Sequence, residues 1–438
     1  MEPVELLREL VRMRSINPPG DEEPVAARLG SFLSDAGLEA QVLTSPGGRA
    51  NLVARLPGPR DKPALVLLSH SDVVPVEEKF WHGNPFSADI VDGVLWGRGT
   101  LDMKGIAVMH AVAAAELARL GTWPTREVIV VVAADEEAGG DQGASWLLEA
   151  HPDKVGFAAG QPLPEVISEG GYGLTGTLDR PVVPIALGEK TALWFDVVVE
   201  GAAGHGAMPP LRQPAVELAA IVSDIAGFGT PRVHPVLREQ FARLVPAASR
   251  APAALMRALA SPAGSMVARL TAAQLRKASA LGLLLSDSMA LTIVAAGYKS
   301  NVVPGEARAS FDCRLLPDTD PDVFLASMAK RARRRGGRID NVVRKGHGPV
   351  SDKGPLYSIL EEVSAQLAPG AVPSPSLTPG ITDLRFFRAR GARGYGWCPL
   401  VLTPELLAGV HGHDERVPVA DFENAVKVMS DVVRRAAT

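Results

Sequence analysis

The sequence predicts an α/β protein with a mainly parallel sheet and helices on both faces. Two observations support this prediction. Continuous apolar runs such as "PALVLLSH" and "REVIVVVAADEE" alternate along the chain with helical patterns such as "GTLDMKGIAVMHAVAAAELARLG". Strands that are apolar throughout, instead of alternating between apolar and polar residues, are typical of a sheet covered by helices on both sides.

The first elements follow in order from the amino end. Helices are predicted at residues 4–13 and 24–37 and from just after Asp102 to Gly121, and strands at 41–43, 51–56, in "PALVLLSH" and in "REVIVVVAADEE". The glycine at the end of "AAAELARLG" is a common helix stop. A further helix is predicted at "GASWLLEAHP".

The chain changes character near Gly188. "TALWFDVVVEGAAGHGAMPP" alternates apolar and polar residues, as a half-exposed antiparallel strand does, and a helical, Ala- and Arg-rich stretch follows it. The α/β pattern resumes towards the carboxyl end. We therefore predict a main domain formed by residues 1–187 and 347–438, and an inserted α+β domain at 188–346 with a helical extension near 235–290.

Composition restricts the class of protein. Hydrophobic residues make up 46% of the 438 residues and charged residues 21%, which is typical of a soluble globular enzyme. The net charge of -4 gives no electrostatic reason to expect a nucleic-acid or membrane partner. The basic run Lys330–Arg335 has no interleaved aromatic residues and is interpreted as a solvated helix end.

Cysteine content and the amino end indicate the compartment. Cys313 and Cys398 are the two cysteines, so a disulfide framework is excluded and a reducing environment is expected. "MEPVELLREL" lacks the pattern of a secretory signal, and the apolar runs are shorter than the roughly 18 residues of a membrane helix. A cytoplasmic protein is predicted.

Three consecutive carboxylates follow a predicted core strand in "VVAADEEAGG": Asp135, Glu136 and Glu137. At about 5 Å and an effective dielectric constant near 20, each pair of like charges repels by roughly 3 kcal/mol. Ligands of open parallel sheets bind at the carboxyl ends of the strands, where His70 also falls. A pair of divalent cations at this edge would offset the repulsion.

Further candidate ligands have suitable chemistry. His70 and Asp72 are two residues apart, so on an extended chain they share a face and the carboxylate can fix the imidazole tautomer. Asp102 precedes a helix and can present both oxygens to two metals. Glu136 and Glu137 are adjacent and point in different directions, so one is expected to bind metal and the other to handle a proton.

Two more ligand candidates come from later segments. Glu169 in "VISEGG" is expected at the end of another strand, and His411 in "GVHGHDERVPV" follows an apolar segment. Nitrogen and oxygen ligands without thiolate favour zinc, with cobalt or manganese as substitutes. Two metals about 3.5–4 Å apart can activate a water and polarise a carbonyl, so hydrolysis is the predicted chemistry.

Seven segments occur in the order found in a known family: "SHSDVVPV", "GRGTLDMKG", "DEEAGGDQGA", "GAAGHGAMPP", "NVVPGEARASFDCRLLP", "GITDLRFF" and "HGHDERV". In these segments the chain resembles the zinc-dependent family of aminoacylases, glutamate carboxypeptidases, acetylornithine deacetylases and succinyl-diaminopimelate desuccinylases. The aminoacylase and Gly-X carboxypeptidase branch is the most similar. The resemblance implies a di-zinc catalytic domain with an inserted lid and dimerisation domain.

The resemblance also implies roles for individual residues. One zinc would be bound by His70, Asp102 and Glu169, and the other by Asp102, Glu137 and His411. Glu136 would be the general base and Asp72 would orient His70. His205 would reach the active site of the partner subunit of a homodimer, although a turn histidine between glycines is the simpler alternative.

Substrate-binding positions follow from the same resemblance. Asn301, Arg314 and Gly380 match positions that grip the substrate, and a guanidinium suits a free carboxylate. For Arg314, a structural salt bridge is an equal alternative, and the same holds for Asp383 and Arg385.

The predicted function is hydrolysis of an N-acyl or peptide bond next to an amino acid with a free carboxylate. Acetylornithine deacetylase or succinyl-diaminopimelate desuccinylase activity is the alternative, and a non-catalytic binding protein for amino-acid derivatives is a second. "GYGLTG" fits a dinucleotide-binding pattern, but the prolines in "TLDRPVVP" leave no room for the required helix, so an oxidoreductase is rejected.

Overall fold

A computed structural model describes residues 2–121, 123–278, 281–346 and 348–438. The helices are α1 Pro3–Arg12, α2 Glu23–Asp35, α3 Lys104–Arg119, α4 Ala144–Ala150, α5 Pro214–Ile225, α6 Pro235–Leu244, α7 Arg250–Ala260, α8 Gly264–Leu270, α9 Ala272–Ala278, α10 Leu281–Leu284, α11 Pro321–Arg333, α12 Pro355–Ser364, α13 Leu384–Ala389, α14 Pro404–Leu407 and α15 Val419–Ala437.

The strands belong to two larger and two smaller sheets. They are β1 Glu39–Thr44, β2 Ala50–Leu56, β3 Leu65–His70, β4 Ile90–Val91, β5 Val94–Trp96, β6 Val128–Ala133, β7 Glu165–Leu174, β8 Val182–Glu189, β9 Thr191–Glu200, β10 Gly204–His205, β11 Gly227–Phe228, β12 Ser288–Ala296, β13 Val302–Val303, β14 Glu306–Leu315, β15 Gly337–Arg344, β16 Val372–Thr378, β17 Arg393–Leu402 and β18 Arg416–Pro418.

The larger sheet has eight strands in the order β1-β2-β6-β3-β7-β17-β8-β16. Its centre is parallel, since β6, β3, β7 and β17 pair in the same direction, and β8 and β16 also run parallel. Antiparallel pairing is confined to β1 and β2 at one edge and to the contacts of β8 with β7 and β17. The predicted α/β class is confirmed, as a mixed sheet with mostly parallel strands.

Burial explains the continuous apolar strands. Every residue of β3 and of β6 is buried, because helices cover both faces of the sheet at its centre. On one face α3 packs against β3 and α15, and on the other α13 packs against α4 and β17. The helix predicted to begin just after Asp102 begins at Lys104.

The second sheet has five antiparallel strands in the order β11-β12-β14-β9-β15. It has its own core, in which Phe195 stacks on Phe311 at 5.5 Å and α5 and α11 supply Leu218 and Met328. The alternating burial along β14 matches a sheet with one covered face. This sheet lies within the segment predicted to be inserted.

The helical extension has a different packing partner from the five-stranded sheet. Helix α6 lies against β16, at the edge of the eight-stranded sheet, and contacts α7. Val236, Leu237 and Phe241 of α6 are buried in the core that surrounds the larger sheet. The Ala- and Arg-rich composition of this stretch predicts helices but does not indicate which sheet they cover.

Two further findings concern the cysteines and the helices. Cys313 and Cys398 are both buried free thiols. Within the described ranges, no helix combines the length and apolar character that a membrane span requires.

His110, in the middle of α3, is fully buried, and neither of its ring nitrogens has a hydrogen-bond partner among the described residues. Burial lowers the pKa of His110 to about 3. The unfolded chain takes up a proton near pH 6.5, whereas the folded chain does so only near pH 3. His110 therefore destabilises the fold increasingly as the pH falls through this window.

We expect His110→Met to raise the midpoint of thermal unfolding, by more at about pH 5 than at about pH 8. At the higher pH the remaining gain comes from removing two unpaired buried polar atoms. Calorimetry of both proteins in chelator measures the difference without a contribution from bound metal. A difference that stays constant over this pH range would contradict the assignment.

Candidate active site

The central strands place the predicted site residues at one edge of the sheet. His70 is the last residue of β3, and a short 3₁₀ helix, Glu136–Ala138, follows β6. Glu169 was expected at the end of a strand but lies within β7. The pairing of β7 with β3 nevertheless ends at Ile167, so Glu169 lies just past the shared ladder and beside the end of β3.

Two loops complete the set. Asp102 lies between β5 and α3, and His411 lies in the turn between α14 and β18. The structure brings the ligand candidates into two groups, His70 with Asp102 and Glu169, and Asp102 with Glu137 and His411. In each group the nitrogen and oxygen atoms that could bind an ion lie within 4.8 Å of one another.

Asp102 is common to both groups, and its two oxygens face different histidines. Oδ1 lies 3.2 Å from Nε2 of His70, and Oδ2 lies 3.0 Å from Nε2 of His411. Nε2 of His411 is also 3.2 Å from Oε1 of Glu137, and Nε2 of His70 is 3.8 Å from Oε1 of Glu169. In this arrangement one carboxylate could bind two cations, one through each oxygen.

The electrostatics of the site favour added positive charge. Burial raises the pKa of Glu136 and that of Glu169 well above the usual range of a carboxyl group, and it raises the pKa of Glu137 as well. Hydrogen bonds to Asp102 and Glu137 raise the pKa of His411 to about 10. Protons are thus drawn to the positions where cations would otherwise neutralise the acids.

Buried oxygens without hydrogen bonds point the same way. Oε1 of Glu136 is buried and has no hydrogen-bond partner among the described residues, and Oε1 of Glu137 is buried with only the contact to Nε2 of His411 at 3.2 Å. Leaving such groups unpaired is costly unless an ion or a water binds there. The donor set contains imidazole nitrogens and carboxylate oxygens but no thiolate, so the residues fit two divalent cations such as zinc.

Asp72 organises this edge of the sheet. The Nδ1 atom of His70 lies 3.0 Å from the backbone oxygen of Asp72 and 3.4 Å from its carboxylate, which leaves Nε2 free to face Asp102. The carboxylate also accepts hydrogen bonds from the backbone N–H groups of Glu136 at 3.2 Å and Glu137 at 3.0 Å. Asn17, which the sequence did not single out, donates to it at 2.8 Å.

Arg385 supports the turn that carries Glu136. It is buried and donates to the backbone oxygens of Gly139, at 2.8 Å, and Thr382, at 2.6 Å. Its Nη1 lies 3.8 Å from Oε1 of Glu136. Neighbouring Asp383 is also buried, and burial raises its pKa to about 7. Arg385 therefore contacts the candidate base as well as the backbone around it.

The remaining predicted residues lie apart from the two groups. His205 is exposed on β10, and the N–H of Gly206 donates to the backbone oxygen of Asn301 at 2.8 Å. Arg314 binds Asp312 through hydrogen bonds of 2.8 and 3.0 Å, as in the structural alternative. Gly380 lies in the loop after β16. Among the described contacts, none joins these four predicted residues to the two groups.

The glycine-rich segment "GYGLTG" does not open a helix. It forms the end of β7 and a turn that leads directly into β8, with Leu174 paired to Val182. A dinucleotide site at this position lacks the helix amino end that would hold the phosphates.

Comparison with known proteins identifies the family. The model of peptidase family M20/M25/M40 matches residues 66–435. The chain belongs to this family. The predicted resemblance is confirmed, and the chain is an M20 metallopeptidase or aminoacylase-type hydrolase.

Relatives of the M20 chain have several activities. Aminoacylase-1 of Sus scrofa is 27% identical over 442 residues, which cover 99% of this chain and 95% of the relative. The N-fatty-acyl-amino acid synthase/hydrolase PM20D1 of Mus musculus is 28% identical over 391 residues, which cover 85% and 74%.

Solved structures share the M20 fold. The M20 family metallo-carboxypeptidase Sso-CP2 of Sulfolobus solfataricus superposes with a TM-score of 0.76 at 21% identity, covering 99% of both chains. The dinuclear metal-binding peptidase YXEP of Bacillus subtilis superposes with a TM-score of 0.61 at 14% identity, covering 99% of this chain and 97% of the other.

Proposed function

We propose that the chain is a two-metal hydrolase that cleaves an amide bond, N-acyl or peptide, next to an amino acid with a free carboxylate. The observation that carries the proposal is Asp102, whose two oxygens face His70 and His411 separately. With Glu169 on one side and Glu137 on the other, five side chains could hold two ions, which supports the proposal. Zinc suits this donor set, and cobalt or manganese are possible substitutes.

Glu136 is the proposed general base. When bound by these five side chains, two divalent cations would acidify a water and polarise the carbonyl of the substrate. Glu136 takes a proton from the attacking water and delivers it to the nitrogen of the leaving amine. Its burial and its raised pKa suit a group that both accepts and returns a proton. Asp72 and Arg385 hold the turn on which Glu136 lies.

The substrate class is supported by the relatives more than by the site. Aminoacylase-1 and the fatty-acyl-amino acid hydrolase cover most or nearly all of the chain, which favours N-acyl amino acids, whereas the carboxypeptidase structure bears on the fold. Acetylornithine and succinyl-diaminopimelate remain alternative substrates. We also propose that Asn301, Arg314 and Gly380 contact the substrate; Arg314 uses Nε and Nη2 to bind Asp312.

A substrate panel tests the proposal directly. We expect the zinc-loaded protein to hydrolyse N-acetyl or longer N-acyl amino acids, or dipeptides, and to be inactive after chelation. The panel should include acetylornithine and succinyl-diaminopimelate, with metal content measured on the same sample. A protein that binds two zinc ions but hydrolyses none of these compounds would instead favour a binding function.

We also propose that residues 188–346 include a lid and dimerisation domain. Among the described residues, β11 pairs with Ser288 and Met289 of β12 alone, so the rest of β12 presents an open strand edge. Leu291, Ile293 and Val294 on this edge have exposed side chains. An apolar, unpaired edge strand is a surface that another chain commonly covers, which supports a homodimer.

A cytoplasmic location, consistent with the free thiols, remains a prediction.

Subunit mixing tests the proposed role of His205 across the dimer. We expect His205→Ala and Glu136→Gln to be nearly inactive alone, and their mixture to regain activity after subunit exchange. In a mixed dimer the His205→Ala subunit keeps its own Glu136 and receives His205 from its partner. With random exchange about a quarter of all sites become competent. If the mixture is no more active than its components, His205 does not act across the dimer.

A further inference from the structure

The buried ion pair between Arg98 and Glu415 lies behind the candidate site and has no part in the proposed chemistry. Arg98 and Glu415 are both almost completely buried, and their side chains meet at 2.6 Å. Oε1 of Glu415 accepts hydrogen bonds from the backbone N–H groups of Leu101, at 2.7 Å, and Asp102, at 3.0 Å. Oε2 accepts from the N–H of Gly99 at 3.0 Å. One carboxylate thus binds three backbone groups of the loop that carries Asp102.

Arg98 connects the loop that carries Asp102 to the turn between α14 and β18. Its Nη2 donates to the backbone oxygen of Gly412 at 2.6 Å, and its guanidinium lies over the ring of Trp81, 5.3 Å from the ring centre. The N–H of Gly97 donates to the backbone oxygen of Glu415 at 2.9 Å. The loop before α3 and the turn after α14 are therefore joined by the ion pair and by the backbone around it.

The two groups of candidate ligands depend on these loops to different degrees. In one, His70 and Glu169 lie on strands of the central sheet, whose ladder positions them. In the other, Asp102 and His411 both lie on irregular segments, and the His411 side chain is 53% exposed. Without a strand beneath it, the geometry of this second group depends on what connects the two loops.

We propose that Arg98 and Glu415 are positioning residues. They align Asp102 with His411, so that these two side chains and Glu137 can bind one of the two cations. The inference rests on the proposed two-metal function, because it assigns the pair a role toward that centre. A buried ion pair is weak evidence of a stabilising role, since well-packed apolar side chains often stabilise a fold as well. Here the carboxylate accepts the N–H of Asp102 itself. Residues behind metal ligands commonly set the affinity of a site in this way.

Zinc titration of the full chain after chelation tests the proposal. Glu415→Gln keeps the shape of the side chain, but its amide nitrogen must face donors, either the N–H of Gly99 and Arg98 or those of Leu101 and Asp102. We expect wild type to bind two zinc ions, and Glu415→Gln to bind the ion at Asp102, Glu137 and His411 about 10- to 100-fold more weakly. The loss for the other ion should be smaller, because His70 and Glu169 are held by strands although Asp102 is shared. Competition with a chromophoric chelator measures both affinities.

The neighbouring Asp414 is a matched control. It carries the same charge but pairs with exposed His82, at 2.6 Å, outside this network. Asp414→Asn should bind both zinc ions like wild type. Unchanged affinities in Glu415→Gln would overturn the positioning role. If wild type itself binds fewer than two ions, the proposed metal centre fails instead, so the two failures are distinguishable.

Arg98→Lys provides a second test if Glu415→Gln does not fold. Lysine keeps a positive charge beside Glu415 but has one nitrogen in place of the two that bind Glu415 and the Gly412 oxygen, so the link between the loops is weakened. We expect Arg98→Lys also to weaken binding of the zinc ion at Asp102, Glu137 and His411, by a smaller factor than Glu415→Gln does. If either variant lowers the unfolding midpoint of the chelated protein yet binds both ions normally well below that midpoint, the pair is structural only.

Discussion

Glu136→Gln is expected to lower turnover by at least about 100-fold while leaving two zinc ions bound. The substitution keeps the size of the side chain but removes the group that accepts and returns the proton. Glu136 is not among the residues of either ligand group, so metal content should not change. Parallel measurement of kcat and of metal content after gel filtration checks both statements.

The adjacent residue supplies the matched control. Glu137→Gln alters a member of the group formed with Asp102 and His411, so it should lose zinc as well as activity. Glu136→Gln is thus predicted to keep both zinc ions, and Glu137→Gln is predicted to lose zinc. Substantial turnover in Glu136→Gln would mean that another group serves as the base.

Asp102→Ala is expected to weaken the binding of both zinc ions and to abolish activity. Its carboxylate is the only ligand candidate shared by the two groups that the described residues form. Losing it removes a ligand from each ion and also the negative charge between them. Zinc content after dialysis against a weak chelator, together with activity at saturating zinc, measures the effect.

Comparing His411→Ala with Asp102→Ala distinguishes a ligand of one ion from a ligand shared by both ions. His411 belongs to one group, so this variant should retain one zinc ion where Asp102→Ala retains fewer. Equal zinc contents in the two variants would contradict the bridging role of Asp102. The comparison does not require knowledge of the natural substrate.

The parts of the site on regular strands could be predicted from residue patterns. Apolar runs that end in His70 and in Glu136–Glu137 indicate strand ends, and parallel neighbours bring such ends to one edge. Asp102 and His411 were suggested by residue chemistry, but their pairing with particular partners followed from the family resemblance. No periodicity relates two irregular segments that are more than 300 residues apart.

Supporting residues were harder to identify because burial is not visible in the sequence. Glu415 accepts hydrogen bonds from three backbone N–H groups. In "HGHDER", however, nothing distinguishes it from a glutamate on the surface. Arg385 likewise lacks any pattern that distinguishes a support for the catalytic turn from a structural ion pair. The Asp312–Arg314 pair did have a signal, because residues two apart on a strand share a face.

Anomalous diffraction at the zinc edge, from crystals of the zinc-loaded protein, tests the central claim most directly. The structure predicts two peaks per chain, about 3.5–4 Å apart, with the carboxylate of Asp102 between them. His70 should bind one ion and His411 the other. A single peak, or two peaks that do not share Asp102, would contradict the two-metal centre.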